Sequence, residues 1–157
     1  MIVRPAATNL TTVRRLRSIE YRVLEDPNDI HVLINTEVRR ELEADQENMG
    51  RDPREDALLS SLPKRKWRLE VVNIGDVALS PLILNSSDVK TGRKFAERLT
   101  ERRLDLRMAL ETRGAVIWPI VLFREGNLLV DGYCRYSTLQ EMGMPQIYAY
   151  VGTLIVR

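Results

Sequence analysis

Five consecutive residues, Asp131, Gly132, Tyr133, Cys134 and Arg135, concentrate the chemistry that this chain offers. They follow an apolar run, Leu128, Leu129 and Val130, and open a stretch with helical spacing that stops at Gly143, just before Pro145. A strand that turns at a glycine into a helix leaves backbone N–H groups pointing out of the turn. Those groups and the helix dipole favour an anion. Arg135, in the first helical turn, adds a permanently charged fork matched to phosphate or carboxylate. The expected chemistry is phosphate binding, with Gly132, Tyr133, Cys134, Arg135 and Tyr136 around the anion. Asp131 has two readings. It can be catalytic, as a general base or as the holder of a metal carried by a nucleotide, or it can cap the helix, the commoner role of Asp in such turns. An anionic Asp131 beside a phosphate repels it, so a functional Asp131 implies Mg²⁺. Cys134 sits where a helix N-terminus and Arg135 lower a thiol's pKa, although a lone cysteine is more often a small buried hydrophobe.

Elsewhere the chemistry is thinner. His31 is the only histidine and has no partner set for zinc or for a Ser-His-Asp triad. Residues 93–113 hold seven Lys or Arg against four acidic residues. Lys94, Arg98 and Arg102 share one helical face, which reads either as a solvated face laced by Glu97, Glu101 and Asp105 or as a surface that meets phosphates. Tyr133, Tyr136, Tyr148 and Tyr150 can stack a base, but alternate tyrosines on strands are more often half-buried sheet residues.

The elements that must position these residues divide near Lys64. In residues 9–25, Leu10, Val13, Leu16, Ile19 and Val23-Leu24 lie near helical spacing and predict a helix ended by Pro27. Ile30, Ile34, Val38 and Leu42 recur every four residues and predict a second helix, with a third over residues 53–61. That apolar stripe must bury against this fold or against a second copy, so a homodimer through the N-terminal helices is one expectation. Lys64, Arg65 and Lys66 read as an exposed connection. Beyond it, residues 67–74 and 78–84 predict strands, the second bent at Pro81. Asp88 is a plausible cap for a helix over residues 92–113, with Phe95, Leu99, Leu106 and Leu110 as its buried stripe and Gly114 as its stop. Strands over 116–123 and 128–130, joined at Glu125-Gly126-Asn127, precede the helix over 133–142. Strands over 147–150 and 154–156 close the chain. The expected fold class is α+β: a small mixed sheet with packed helices in residues 66–157, preceded by an α-helical N-terminal segment, residues 1–65.

Composition bounds the rest. The chain has 157 residues, 44% hydrophobic and 29% charged, which suits one ordinary globular domain. With 24 basic against 22 acidic residues there is no global pull toward nucleic acid. A single cysteine excludes an internal disulfide and suits a reducing compartment. Arg4 and Pro5 break any signal-peptide core, and no apolar run reaches the roughly 20 residues of a membrane span. The cytoplasm is the expected location.

The motif also resembles a known family. Asp131-Gly132-Tyr133-Cys134-Arg135-Tyr136, then Leu139, Glu141, Met142 and Gly143, is similar to the D-G-H-x-R-Y…L…G signature of the ParB/sulfiredoxin superfamily. Gly114 and the run Trp118-Pro119-Ile120-Val121-Leu122 resemble its G…x-P-I-x-V strand, and Ile147 to Val151 its closing strand. The resemblance spans residues 67–153 and leaves the first 65 or so outside. It implies that the G-x-x-R turn binds the phosphates of CTP, ATP or ADP, with Mg²⁺. Members of that superfamily include partition CTPases, sulfinic-acid reductases, free amino-acid kinases and nucleases. Tyr133 stands where many members have His, and Tyr133-Cys134-Arg135 stands where partition proteins have Glu-Arg-Arg. Sulfiredoxins place their cysteine at the position of Tyr133, one residue before Cys134, or about 100° around a helix. The implied function is a nucleotide-binding domain, in its enzymatic form a phosphotransferase or hydrolase with a small-molecule acceptor. For a kinase, Asp131, Asp88 and Asp76 are the candidate bases. The alternative is a DNA-associated partition or phage module without catalysis, with Arg14, Arg15 and Arg17 as phosphate contacts, or a ParB-like nuclease.

Overall fold

The computed structural model describes residues 10–50 and 52–155. Its chain order is β1 (Thr12–Leu16), β2 (Ile19–Val23), α1 (Pro27–Leu33), a π-helical turn (Ile34–Val38), α2 (Arg39–Met49), α3 (Pro53–Ser61) and β3 (Arg65–Asn73). Then come α4 (Pro81–Leu84), α5 (Phe95–Arg113), β4 (Val116–Ile117), β5 (Ile120–Phe123), β6 (Leu128–Asp131), α6 (Tyr133–Glu141) and β7 (Gln146–Leu154). Two small mixed sheets result, ordered β1-β2-β4 and β3-β7-β5-β6, with helices packed on them. The fold is α+β as expected, with two sheets where one was predicted. No helix among the described residues is long and apolar enough to cross a membrane.

The first correction lies in residues 9–25; residue 9 is outside the described residues, and the remainder folds as a hairpin. Leu16 pairs with Ile19 across a turn in which Arg17 takes φ 56°. Ile19, Tyr21 and Val23 are buried while Glu20 and Arg22 are not, a period of two. Spacings of three and four also fit a helix, but the aromatic and β-branched residues on alternate positions favour a pleated surface. β2 then pairs in parallel with β4 and carries its apolar face into the main core.

The helical stripe does bury. Ile30 and Ile34 are 0% exposed and Val38 1%, packed with Trp67, Trp118 and Phe123 from beyond Lys64. The stripe is therefore covered by this chain's own core. Arg65, expected in an exposed connection, is also inside. Its Nη1 donates to Glu125 Oε2 at 2.6 Å and to the Gly152 carbonyl at 3.0 Å, and its guanidinium lies 3.6 Å from the Phe123 ring centre. The fork is desolvated but engaged through Nε and Nη1 and over the Phe123 ring, the condition under which a buried charge is tolerated.

Residues 78–84 do not form a strand. Ala78 makes one isolated bridge to Leu128, and Pro81 opens the short α4 at the first helical position, where its missing N–H costs nothing. α5 begins at Phe95, three residues later than predicted. Asp88 instead accepts from the backbone N–H groups of Lys90 and Thr91 in the preceding loop. Gly114 ends α5 in the left-handed conformation, as its position predicts. The stripe Phe95, Leu99, Leu106 and Leu110 packs on the core but stays half-buried. β7 runs on from Gln146 to Leu154, past the end predicted at 150, and the last residue of the strand expected over 154–156 lies outside the described residues. It is held on one side by β3 and on the other by β5.

Candidate functional site

β5 is buried on both faces, Ile120 and Leu122 toward one core and Val121 and Phe123 toward the other. Its partner β6 ends at Asp131, and the chain turns at Gly132 into α6. Gly132 takes φ 105° and ψ 31°, a region that L side chains rarely adopt. A Cβ there would lie 2.7 Å from Ile120 Cγ2 and 3.0 Å from Arg135 Nη2. Both backbone sign and space require glycine.

Gly132 is the N-cap of α6, and no side chain caps the helix. The capping role considered for Asp131 is thus not the one it takes. Its Oδ2 accepts from Arg135 Nη2 at 3.0 Å. Arg135 Nη1 meanwhile donates to the carbonyls of Trp118 at 3.0 Å and Pro119 at 2.9 Å. Trp118 and Pro119 lie where the chain leaves β4 in one sheet and enters β5 in the other. The arginine therefore fastens the crossover between sheets to the turn.

Asp131, Gly132, Tyr133, Cys134 and Arg135 all line one cleft of about 740 Å³. Tyr136 is buried in the core and does not line it. Tyr133 is 7% exposed, its hydroxyl donating to the Leu129 carbonyl and accepting from Ser80 N–H, both at 3.1 Å. Burial pushes its phenol up to about 12. Cys134 corrects the expectation of a lowered thiol: burial pushes it up, and this outweighs the opposing pull of Thr138, Arg102 and Arg135. Tyr150 is buried and Tyr148 meets Tyr21 edge-on at 5.0 Å, so these rings stack within the fold. Asp76 and Asp88 do not line the cleft.

The far wall comes from α2 and α3, which sequence reasoning left without a function. Glu41 and Asp45 of α2 and Glu55 of α3 face the turn, with Arg98 and Arg102 of α5 on the adjoining wall. Asp45 lines the cleft from an exposed position on α2, and desolvation, then the charge of Asp131, pushes its carboxyl up, partly offset by Arg102 and Arg98. Burial, then Asp52 and Asp56, does the same to Glu55. The only signal of this wall in the sequence was a helix whose polar side carries acids. That is also how a solvated face looks.

No family model matches the chain, and no curated protein matches it. Among solved structures it is similar to a pNOB8-like ParB N-domain, seen in a C2221 crystal form at 19% identity and in a second structure at 20%. The matches cover 57% and 58% of this chain and 30% and 29% of those chains, each with a TM-score of 0.41. The chain thus spans less than a third of the proteins it matches.

Proposed function

We propose that this chain is a ParB-like binding module that takes a nucleotide in the cleft, its phosphates against the amides at the start of α6. One observation carries the reading: α6 opens into the cleft with no side chain capping its N-terminus. The first N–H groups of a helix have no partner within it, so an anion supplies what the sequence does not. The cleft volume of about 740 Å³ suits a ligand of nucleotide size. Among the described residues no group of three or more His, Cys, Asp or Glu is placed to hold a metal ion. A Mg²⁺ carried by the nucleotide would have Asp131 and Asp45 among the carboxylates of the cleft lining. Asp131 accepts from Arg135, which favours a structural carboxylate over a general base, so we read the module as binding without turnover.

Calorimetric titration with CTP, ATP and ADP, with and without Mg²⁺, tests this. Micromolar binding of at least one is the expected result. Absence of binding to all of them contradicts it.

A DNA-associated role is the second reading, favoured by Lys64, Lys66 and Arg68. Lys66 and Arg68 are exposed on the edge strand β3 and Lys64 just before it, and none has a side-chain partner among the described residues. Arg14 and Arg15, by contrast, are ion-paired to Glu25 and Glu20. Lysine at a sheet edge also discourages edge-to-edge pairing. Duplex binding that weakens steeply with salt and is lost on replacing these three residues distinguishes the two roles.

A further inference from the structure

The arginine nearest the turn is already engaged. Three N–H groups of Arg135 are used on Asp131, Trp118 and Pro119, and its side chain is 13% exposed. The cationic groups of α5 divide differently. Arg93, just before it, pairs with Glu101, Arg107 with Glu111 and Glu141, and Arg103 with Glu141. Arg98, Arg102 and Arg113 line the cleft instead, the first two one turn apart.

Neither Arg98 nor Arg102 has a close partner. The nearest carboxylate to Arg98 is Asp88, whose Oδ2 is 3.9 Å from Nη1, beyond hydrogen-bond distance. Its Nε is shut off from water and makes no hydrogen bond. Such an N–H costs free energy until an acceptor reaches it. Arg102 makes no hydrogen bond or ion pair among the described residues, and its charge is felt at both Cys134 and Asp45. Two forks one helical turn apart, roughly 5–6 Å between their Cβ atoms, can both reach one di- or triphosphate.

We propose that Arg98 and Arg102 of α5, rather than Arg135, hold the anionic end of the cleft's ligand, a nucleoside di- or triphosphate. This rests on the cleft being the nucleotide site. Arg135 builds the turn, the α6 amides meet one end of the phosphate chain, and the α5 pair meets the other. Asp45 and Glu55 also line the cleft, and desolvation pushes both carboxyls up from their ordinary value. Asp45 is the group that competes with the phosphate for the two arginines.

The test titrates ATP, CTP and inorganic pyrophosphate into the natural chain and into Arg98→Ala, Arg102→Ala, Asp45→Asn and Arg135→Ala, with a thermal melt of each. Arg98→Ala and Arg102→Ala are each expected to weaken binding about tenfold or more, as charge-assisted hydrogen bonds do, with the melting temperature unchanged. Asp45→Asn is expected to tighten it. Wild-type binding that survives both arginine substitutions overturns this assignment and leaves the cleft reading standing. A natural chain that binds none of the three probes overturns both.

Discussion

Asp131 Oδ2 lies 3.0 Å from Arg135 Nη2, and this contact joins the last residue of β6 to the first turn of α6. The same guanidinium holds the two carbonyls at the crossover between sheets. A turn whose amides are offered to a ligand is thus braced by its own charged pair. The residue that most suggests phosphate binding in the sequence is chiefly a brace in the structure.

Arg135→Ala should therefore act first on stability. It removes hydrogen bonds to the Trp118 and Pro119 carbonyls and to the largely buried Asp131 carboxylate, a loss of about 2–3 kcal/mol. For a chain of this size that lowers the melting temperature by roughly 4–12 °C. Arg135→Lys should recover only part of it, because a point charge cannot span three acceptors. An alanine variant melting with the natural chain would mean that the carbonyls find other donors.

Glycine at 132 answers two requirements at once, and a comparison separates them. Gly143 also has positive φ, 76°, but a Cβ there would meet nothing within 4 Å. Gly143→Ala should cost about 1 kcal/mol from backbone strain alone. Gly132→Ala adds a clash with Ile120 inside the core, and its cost should be roughly 2–4 kcal/mol. Urea denaturation of the two variants measures the difference. Equal losses would show that β5 yields to the added methyl.

What the sequence made legible follows from how local each signal is. Strand, glycine and helix stand within one short segment at 128–143, and all three are where the pattern puts them. Gly114 ending α5 and the Ile30, Ile34 and Val38 stripe are equally local. The β1–β2 hairpin was misread because its apolar spacing fits two periods, and only pairing with β4 selects one. Arg65 was misread because Glu125, Phe123 and Gly152, which accept it, lie far along the chain. The cleft's second wall was invisible for the same reason: nothing near Asp45 in sequence announces Asp131.

Cys134 should behave as an unreactive thiol at neutral pH. Burial raises its pKa, so the nucleophilic thiolate is scarcer than in a free cysteine at the same pH. Its alkylation by bromobimane should be slower than that of a cysteine peptide and should accelerate only at more alkaline pH. A rate at neutral pH equal to or above the peptide's would restore the activated-cysteine reading.

Asp45 gives the stability curve a defined slope. Its folded pKa lies above the ordinary carboxylate value, so the native state binds more protons than the unfolded chain between the two. Its contribution is thus most favourable below that window and is lost as pH rises through it. Asp45→Asn should match the natural chain near pH 3.5 and exceed it at pH 7 in urea denaturation. A difference that does not change with pH would place Asp45 in free solvent.

The central claim is that the cleft holds a nucleotide against the start of α6, and amide chemical shifts read this most directly. Titrating ¹⁵N-labelled protein with ATP and CTP in Mg²⁺ should move the amides of Tyr133, Cys134 and Arg135 most, with Arg98 and Arg102 following and the β1–β2 hairpin unmoved. No shift at Tyr133, Cys134 and Arg135 at millimolar nucleotide would contradict the account.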